Sequence, residues 1–303
     1  MKKYPLTLSA ACALLLFAAQ AVAQTLPPPP NVLVFVREDI KPGKMPAHNE
    51  EAANFVRVQT KANTVSPKEL RDYRLAMVPI AGNENEVTYV WGYNSFEEME
   101  NKRREADRLA NGPMKADFDA LVDRDLHAAQ HDIITTFRPD LSHGLGRVDI
   151  AQARYTVMTT LRIKPGHEEE YWNAVKKHVY PARDKTAMKN ASWAVFAVRA
   201  GMPGSSYIIL RPVKSLAEFD AASPATVRGV MSGDEKEEMD KVSDRSILLT
   251  NTNYYAFSPR LSLVTPEWAA RDTASTPFWN PKPQAADPTT SAGSRPAGSR
   301  RRP

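Results

Sequence analysis

The run Phe137-Arg138-Pro139-Asp140-Leu141-Ser142 closes an apolar, strand-like stretch, and its pattern returns 120 residues later as Phe257-Ser258-Pro259-Arg260-Leu261-Ser262. Proline lacks the N–H that a strand ladder needs, so each copy marks where a strand must stop. Two endings so alike and so far apart imply one folding unit made twice. Two further landmarks keep nearly the same spacing. Lys41-Pro42-Gly43-Lys44 is matched by Lys164-Pro165-Gly166-His167 at an offset of 123, and Ser95-Phe96-Glu97-Glu98-Met99 by Ser215-Leu216-Ala217-Glu218-Phe219 at 120.

Between these landmarks the pattern predicts the same order of elements twice. In the first copy, Val32–Val36 is a β-branched run read as a buried strand, and the Lys-Pro-Gly turn leads into an amphipathic helix carrying Ala52, Phe55 and Val56. Tyr73–Ile80 and Val87–Tyr93 read as middle strands. Ser95 then caps a helix with Glu97 and Glu98 in its first turn, where the helix dipole favours acids. That helix breaks at Asn111-Gly112-Pro113 and is expected to resume through Phe118, Asp123, His127 and His131 before a fourth strand at Asp132–Phe137. In the second copy the expected strands are Tyr155–Ile163, Ser192–Val198, Ser206–Leu210 and Ile247–Phe257. Helices are expected around Tyr171–Val179 and over Ala225–Met239.

The order strand, helix, strand, strand, helix, strand predicts an α+β fold of two tandem ferredoxin-like repeats, spanning residues 31–145 and 150–263. A sheet covered by helices on one face must bury the other. The successive apolar positions Ala76-Met77-Val78 and Tyr207-Ile208-Ile209-Leu210 fit strands covered on both faces.

The ends of the chain differ from this body. Lys2 and Lys3, the apolar run Leu6–Ala19 and the small residues around Ala23 predict a signal peptide over residues 1–23, hence an exported, periplasmic or secreted protein. The lone cysteine, Cys12, falls inside that segment with Ser9 where a lipoprotein signal needs leucine, so the mature chain is expected to hold neither thiol nor disulfide. A Pro-rich leader covers residues 24–30, and residues 264–303 read as a disordered Pro- and Arg-rich tail in which only Trp268 and Trp279 offer large apolar groups. Of the net charge of +5, the two leading lysines supply +2 and the stretch from Pro266 supplies +3. The body is therefore neutral, which argues against nucleic acid as a partner. No later run is long enough for a transmembrane helix.

The strand, Lys-Pro-Gly turn, aromatic amphipathic helix and Ser-Phe-Glu-Glu helix start together resemble the dimeric α+β barrel superfamily, whose members include antibiotic-biosynthesis-monooxygenase and NIPSNAP-like domains. The resemblance spans residues 31–263 in two copies. It implies that two sheets pack face to face as an α+β barrel. Here that would be an intrachain pseudo-dimer, with further homo-oligomers left open.

Candidate site residues follow from spacing. Tyr89, Trp91 and Tyr93 alternate along one strand and so project from one face, either as an aromatic wall for a planar ligand or as a seal for the core. Trp193 reads the same way in the second copy. His48, near the start of the first helix, is suited to act as a base or heme ligand, and its counterpart in the repeat is Tyr171. The pair His127 and His131, at helical i, i+4 spacing in one column with Asp123, is a candidate holder of one divalent metal ion with Asp132 or a residue from elsewhere as third ligand. No Glu follows His127, no phosphate loop occurs and no Gly-x-Ser-x-Gly elbow occurs, which sets aside zinc-protease, nucleotide-dependent and serine-hydrolase chemistry.

Two functional readings follow. The first is a protein that binds a small hydrophobic or planar ligand without catalysis and needs no cofactor. The second is a cofactor-independent monooxygenase-like or heme-handling enzyme. A purely structural role for the tail ranks below both.

Overall fold

Eight antiparallel strands close into one barrel in the computed structural model, which describes residues 26–121, 125–221, 224–274 and 277–279. The expected signal segment, most of the leader's start, Asp123 and the chain beyond Trp279 lie outside the described residues.

The first half contributes β1 (Val32–Ile40), α1 (Met45–Val65), β2 (Arg74–Pro79), β3 (Glu86–Tyr93), α2 (Phe96–Ala110), α3 (Lys115–Asp119) and β4 (His127–Phe137). The second half contributes β5 (Tyr155–Ile163), α4 (Glu168–Ala174), α5 (Tyr180–Asp184), β6 (Ala194–Ala200), β7 (Ser206–Val213), α6 (Ala217–Ala221), α7 (Pro224–Gly229), α8 (Gly233–Ser246) and β8 (Ile247–Phe257). A short α9 (Pro266–Ala270) follows. Around the barrel the order is β4-β1-β3-β2-β8-β5-β7-β6, so each half lays its strands side by side in the same internal sequence. The two seams are β2 against β8 and β4 against β6.

Alternation along the strands sorts the core into compartments. Leu33, Phe35, Met77 and Val90 from the first half meet Phe196, Ile208, Tyr255 and Phe257 from the second inside the barrel. The opposite strand faces lie under helices. Ala76, Val87, Tyr89 and Leu261 pack with Ala52 of α1, while Leu161, Ile163, Val195 and Tyr207 pack with α4, α5 and α8. The two repeated Lys-Pro-Gly turns put Gly43 and Gly166 at φ +75° and +88°, a backbone region that disfavours side chains. That requirement explains why both copies hold glycine there.

The twin motifs join the halves reciprocally. Ser142 Oγ accepts the N–H of Val195 on β6, and Ser262 Oγ accepts the N–H of Ala76 on β2, at 3.0 and 2.8 Å. Each serine also donates back to the first residue after its own strand, Arg138 or Ser258. Leu141 thereby enters the helix-covered core of the second half and Leu261 that of the first.

Four expectations change. The stretch from His127 to His131 is strand rather than helix, because it pairs with β1 from Val32 to Ile40 and β4 reaches β6 at its other end. Cross-strand pairing overrides the helical preference of Ala128-Ala129-Gln130. β1 runs past Val36 through the charged Arg37-Glu38-Asp39, whose side chains find partners on both flanks. The helix expected over Ala225–Met239 is two helices, α7 and α8, the second started by a capping box between Ser232 and Glu235. The stretch after residue 263 is not all solvated tail: Val264, Trp268, Phe278 and Trp279 join the barrel core, and Trp279 is 3% exposed with its indole N–H donated to Ala151 O.

Candidate functional sites

Two places on the helix-covered faces combine buried polar groups with an arrangement that packing alone does not require. One lies in each half.

In the first half, β1, α1 and β4 bring Glu38, His48 and His127 together. Glu38 Oε2 lies 2.8 Å from His48 Nε2 and 3.2 Å from His127 Nε2, and the three groups' ligand-type atoms all fall within 4.8 Å of one another. The two imidazoles meet edge to face, with ring centres 5.8 Å apart. His127 reaches this side because of a β-bulge: Asp39 pairs with Ala129 but Ile40 with His127, so one residue is skipped and the side chain is turned toward α1. His131 keeps the regular alternation and sits 3.7 Å from Asp39. The expected His127–His131 pair therefore does not form, and Glu38, which no sequence pattern singled out, takes the place of His131.

Tyr89 closes the inner side of this group, its hydroxyl 3.4 Å from His48 Nε2. The wall of Tyr89, Trp91 and Tyr93 projects from one face as expected, but its inner part is already covered. The Arg74 guanidinium lies 4.1 Å from the Tyr89 ring centre, 4.4 Å from that of Phe55 and 5.6 Å from that of Trp91. Trp91 donates its indole N–H to Asp72, and Tyr93 lies beside Lys102. Burial drives the Tyr89 phenol well above its ordinary range, against the pull of Arg74, and pushes the Asp72 carboxyl up. These rings act as a packed seal around a cation, the structural alternative in the sequence pattern.

In the second half, a cavity of about 350 Å³ opens between the sheet and α5, α7 and α8. Trp193, Val179, Ile209, Met188, Met231 and Met239 make it largely apolar. Two guanidinium groups, Arg183 and Arg211, also line it. Arg183 lies 3.9 Å from the Trp193 ring centre and Arg211 5.5 Å from that of Phe219, and neither side chain meets a carboxylate among the described residues. Burial lowers Arg183 to about 10 and lowers Arg211 as well, each against weaker pulls from neighbouring groups. The exposed Arg228–Asp240 pair stands at the rim.

The helix that carries Arg183 is not a copy of α1. Where α1 runs unbroken, its counterpart holds a π turn over Val175–Val179 between α4 and α5. Such turns insert a residue and re-aim side chains, and they recur at functional sites. His178, within this turn, is buried with Nε2 2.9 Å from Glu238 of α8.

The strand order and the two helix-covered faces define an α+β barrel, a class that rests on this chain's own pairing. No protein-family profile and no curated protein matches the sequence. Among solved structures, the chain is similar to an anthrone oxidase-like protein with 13% identity and a TM-score of 0.46, covering 75% of this chain and 91% of that one. It is also similar to a protein proposed as a monooxygenase from Lactobacillus acidophilus NCFM, with 10% identity, a TM-score of 0.44 and coverage of 75% and 94%. A chlorite dismutase from Candidatus Nitrospira defluvii gives 8% identity, a TM-score of 0.40 and coverage of 76% and 91%.

Proposed function

We propose that this protein binds a small, largely apolar molecule bearing an anionic group, without catalysis, in the cavity of its second half. The observation that carries this reading is the pair Arg183 and Arg211, one half-buried and one buried cation facing a largely apolar space, neither in an ion pair among the described residues. Desolvating a cation is costly unless a counter-charge accompanies it, and a ligand carboxylate would supply one. A volume of about 350 Å³ lies in the range of small-molecule sites. The three methionines give the lining an adaptable shape, and Trp193 offers a flat surface to a planar ligand.

The same reading includes an internal duplication whose halves have diverged, supported by the shared strand order and by the twin serine contacts. It also keeps the export expected from the leading segment, which rests on sequence alone. Heme ligation by His48 is less well supported, since its ring is 3% exposed and already engaged by Glu38 and Tyr89.

Titrating the protein with 2-naphthoate and with the uncharged 2-naphthamide, followed by tryptophan fluorescence, tests the proposal. The acid should bind and the amide should bind at least tenfold more weakly, since a charge-assisted hydrogen bond contributes about 1.5–3 kcal/mol. Arg183→Gln should erase most of that difference. Equal affinity for acid and amide, or binding of neither, would overturn the reading.

A further inference from the structure

We infer that Glu38, His48 and His127 form a binding site for one divalent first-row transition-metal ion in the first half of the barrel. The neighbouring elements β1 and α1 converge with the sequence-distant β4 to place a carboxylate oxygen and two imidazole nitrogens within 4.8 Å of one another. Metal–ligand bonds of about 2.0–2.2 Å bring donor atoms to separations of roughly 3 Å, and the Glu38 contacts of 2.8 and 3.2 Å already match this.

Hydrogen bonding accounts for only part of the arrangement. Glu38 satisfies His48, but His127 Nε2 is buried without a hydrogen-bond partner despite lying 3.2 Å from Glu38, so its direction does not suit that bond. One helical turn after His48, Glu51 Oε2 is likewise buried without a partner.

The second half shows that the barrel does not need these residues. It repeats the same bulge, with Arg162 and Ile163 in the roles of Asp39 and Ile40 and Ile247 in the role of His127. The position of Glu38 is then Leu161, and Tyr171 follows Ile163 at the same remove as His48 follows Ile40. Leu161, Tyr171 and Ile247 serve the fold at this place without a carboxylate or an imidazole, while one carboxylate and two imidazoles occupy its twin. The set of two imidazoles and one carboxylate favours zinc and its first-row neighbours over calcium or magnesium. Three protein ligands leave at least one position open, on the side of the Tyr89 hydroxyl. His48 Nδ1 has no partner to stiffen the ring, which places the expected affinity below that of closed structural zinc centres.

Untagged protein, stripped with chelator, reloaded with excess zinc and then dialysed free of the excess, should retain one zinc per chain, and reloading with Co2+ instead should give a visible absorption band. His127→Ala and Glu38→Gln should each weaken zinc binding at least a hundredfold while far-ultraviolet circular dichroism stays unchanged. His131→Ala, whose side chain points to the other face, should leave binding intact. A stoichiometry near zero in folded wild-type protein would overturn the assignment. So would zinc binding that survives both substitutions or is lost only in His131→Ala.

Discussion

Ser262 lies 186 residues beyond Ala76, yet its hydroxyl accepts the Ala76 backbone N–H at 2.8 Å and donates its own O–H to Ser258 O. Ala76 is fully buried, so no water stands ready to replace that bond. Ser262→Ala should destabilise the protein by about 1–3 kcal/mol, the cost of an unsatisfied buried donor. Ser142→Ala should act similarly through Val195. Urea unfolding of both single variants checks this, and an effect under a few tenths of a kcal/mol would show that the serines do not hold the seams.

At the other seam the backbones nearly touch. Gly201 adopts φ +86° after β6, and a Cβ there would lie 1.9 Å from Asp132 O on β4. Gly201→Ala combines a left-handed backbone cost with a clash against main chain, and should cost at least about 2 kcal/mol. Gly204→Ala, in the same turn with open space around it, is the matched control and should be near neutral. Comparable midpoints for the two variants would contradict this account.

Acid should unfold the protein through its held carboxylates. The Ser205 hydroxyl, then the Gly166 N–H among weaker contributors, keep Glu168 below its ordinary 4.5 against a rise from burial. The Arg138 fork holds Asp140 below 3.8, also against burial. A carboxyl whose folded pKa is depressed contributes stability that is complete above its unfolded pKa and is lost as pH falls through the folded one. Stability from these two groups should thus be level above about pH 5 and fall below about pH 4. Glu168→Gln should flatten part of that slope in chemical unfolding measured from pH 3 to 7. An unchanged slope would remove Glu168 from the explanation.

Much of the architecture was legible because the recurring motif carries its own punctuation. β5 and β8 begin and end where the apolar pattern and the Pro-terminated motif put them. His127 and His131 were misread because Ala128-Ala129-Gln130 suits a helix locally, and only pairing with β1 makes it strand. Glu38 was invisible for a related reason. A charged residue after Val36 resembles the end of a strand, and its partners come from the next helix and from β4, the latter far off in sequence. Trp193 was found by its ring, but Arg183 was not, since nothing in a helix of ordinary polarity signals that a π turn will aim one arginine inward.

The exchange of Leu141 and Leu261 bears on what kind of object this chain is. Each half leaves a hole in its own core that only the other half's leucine fills. A peptide bond broken once between β4 and β5 would leave two fragments that each lack that leucine and each carry the other's. The connection then sets the local concentration of the fragments, while the contacts themselves are those of partners that recognise each other.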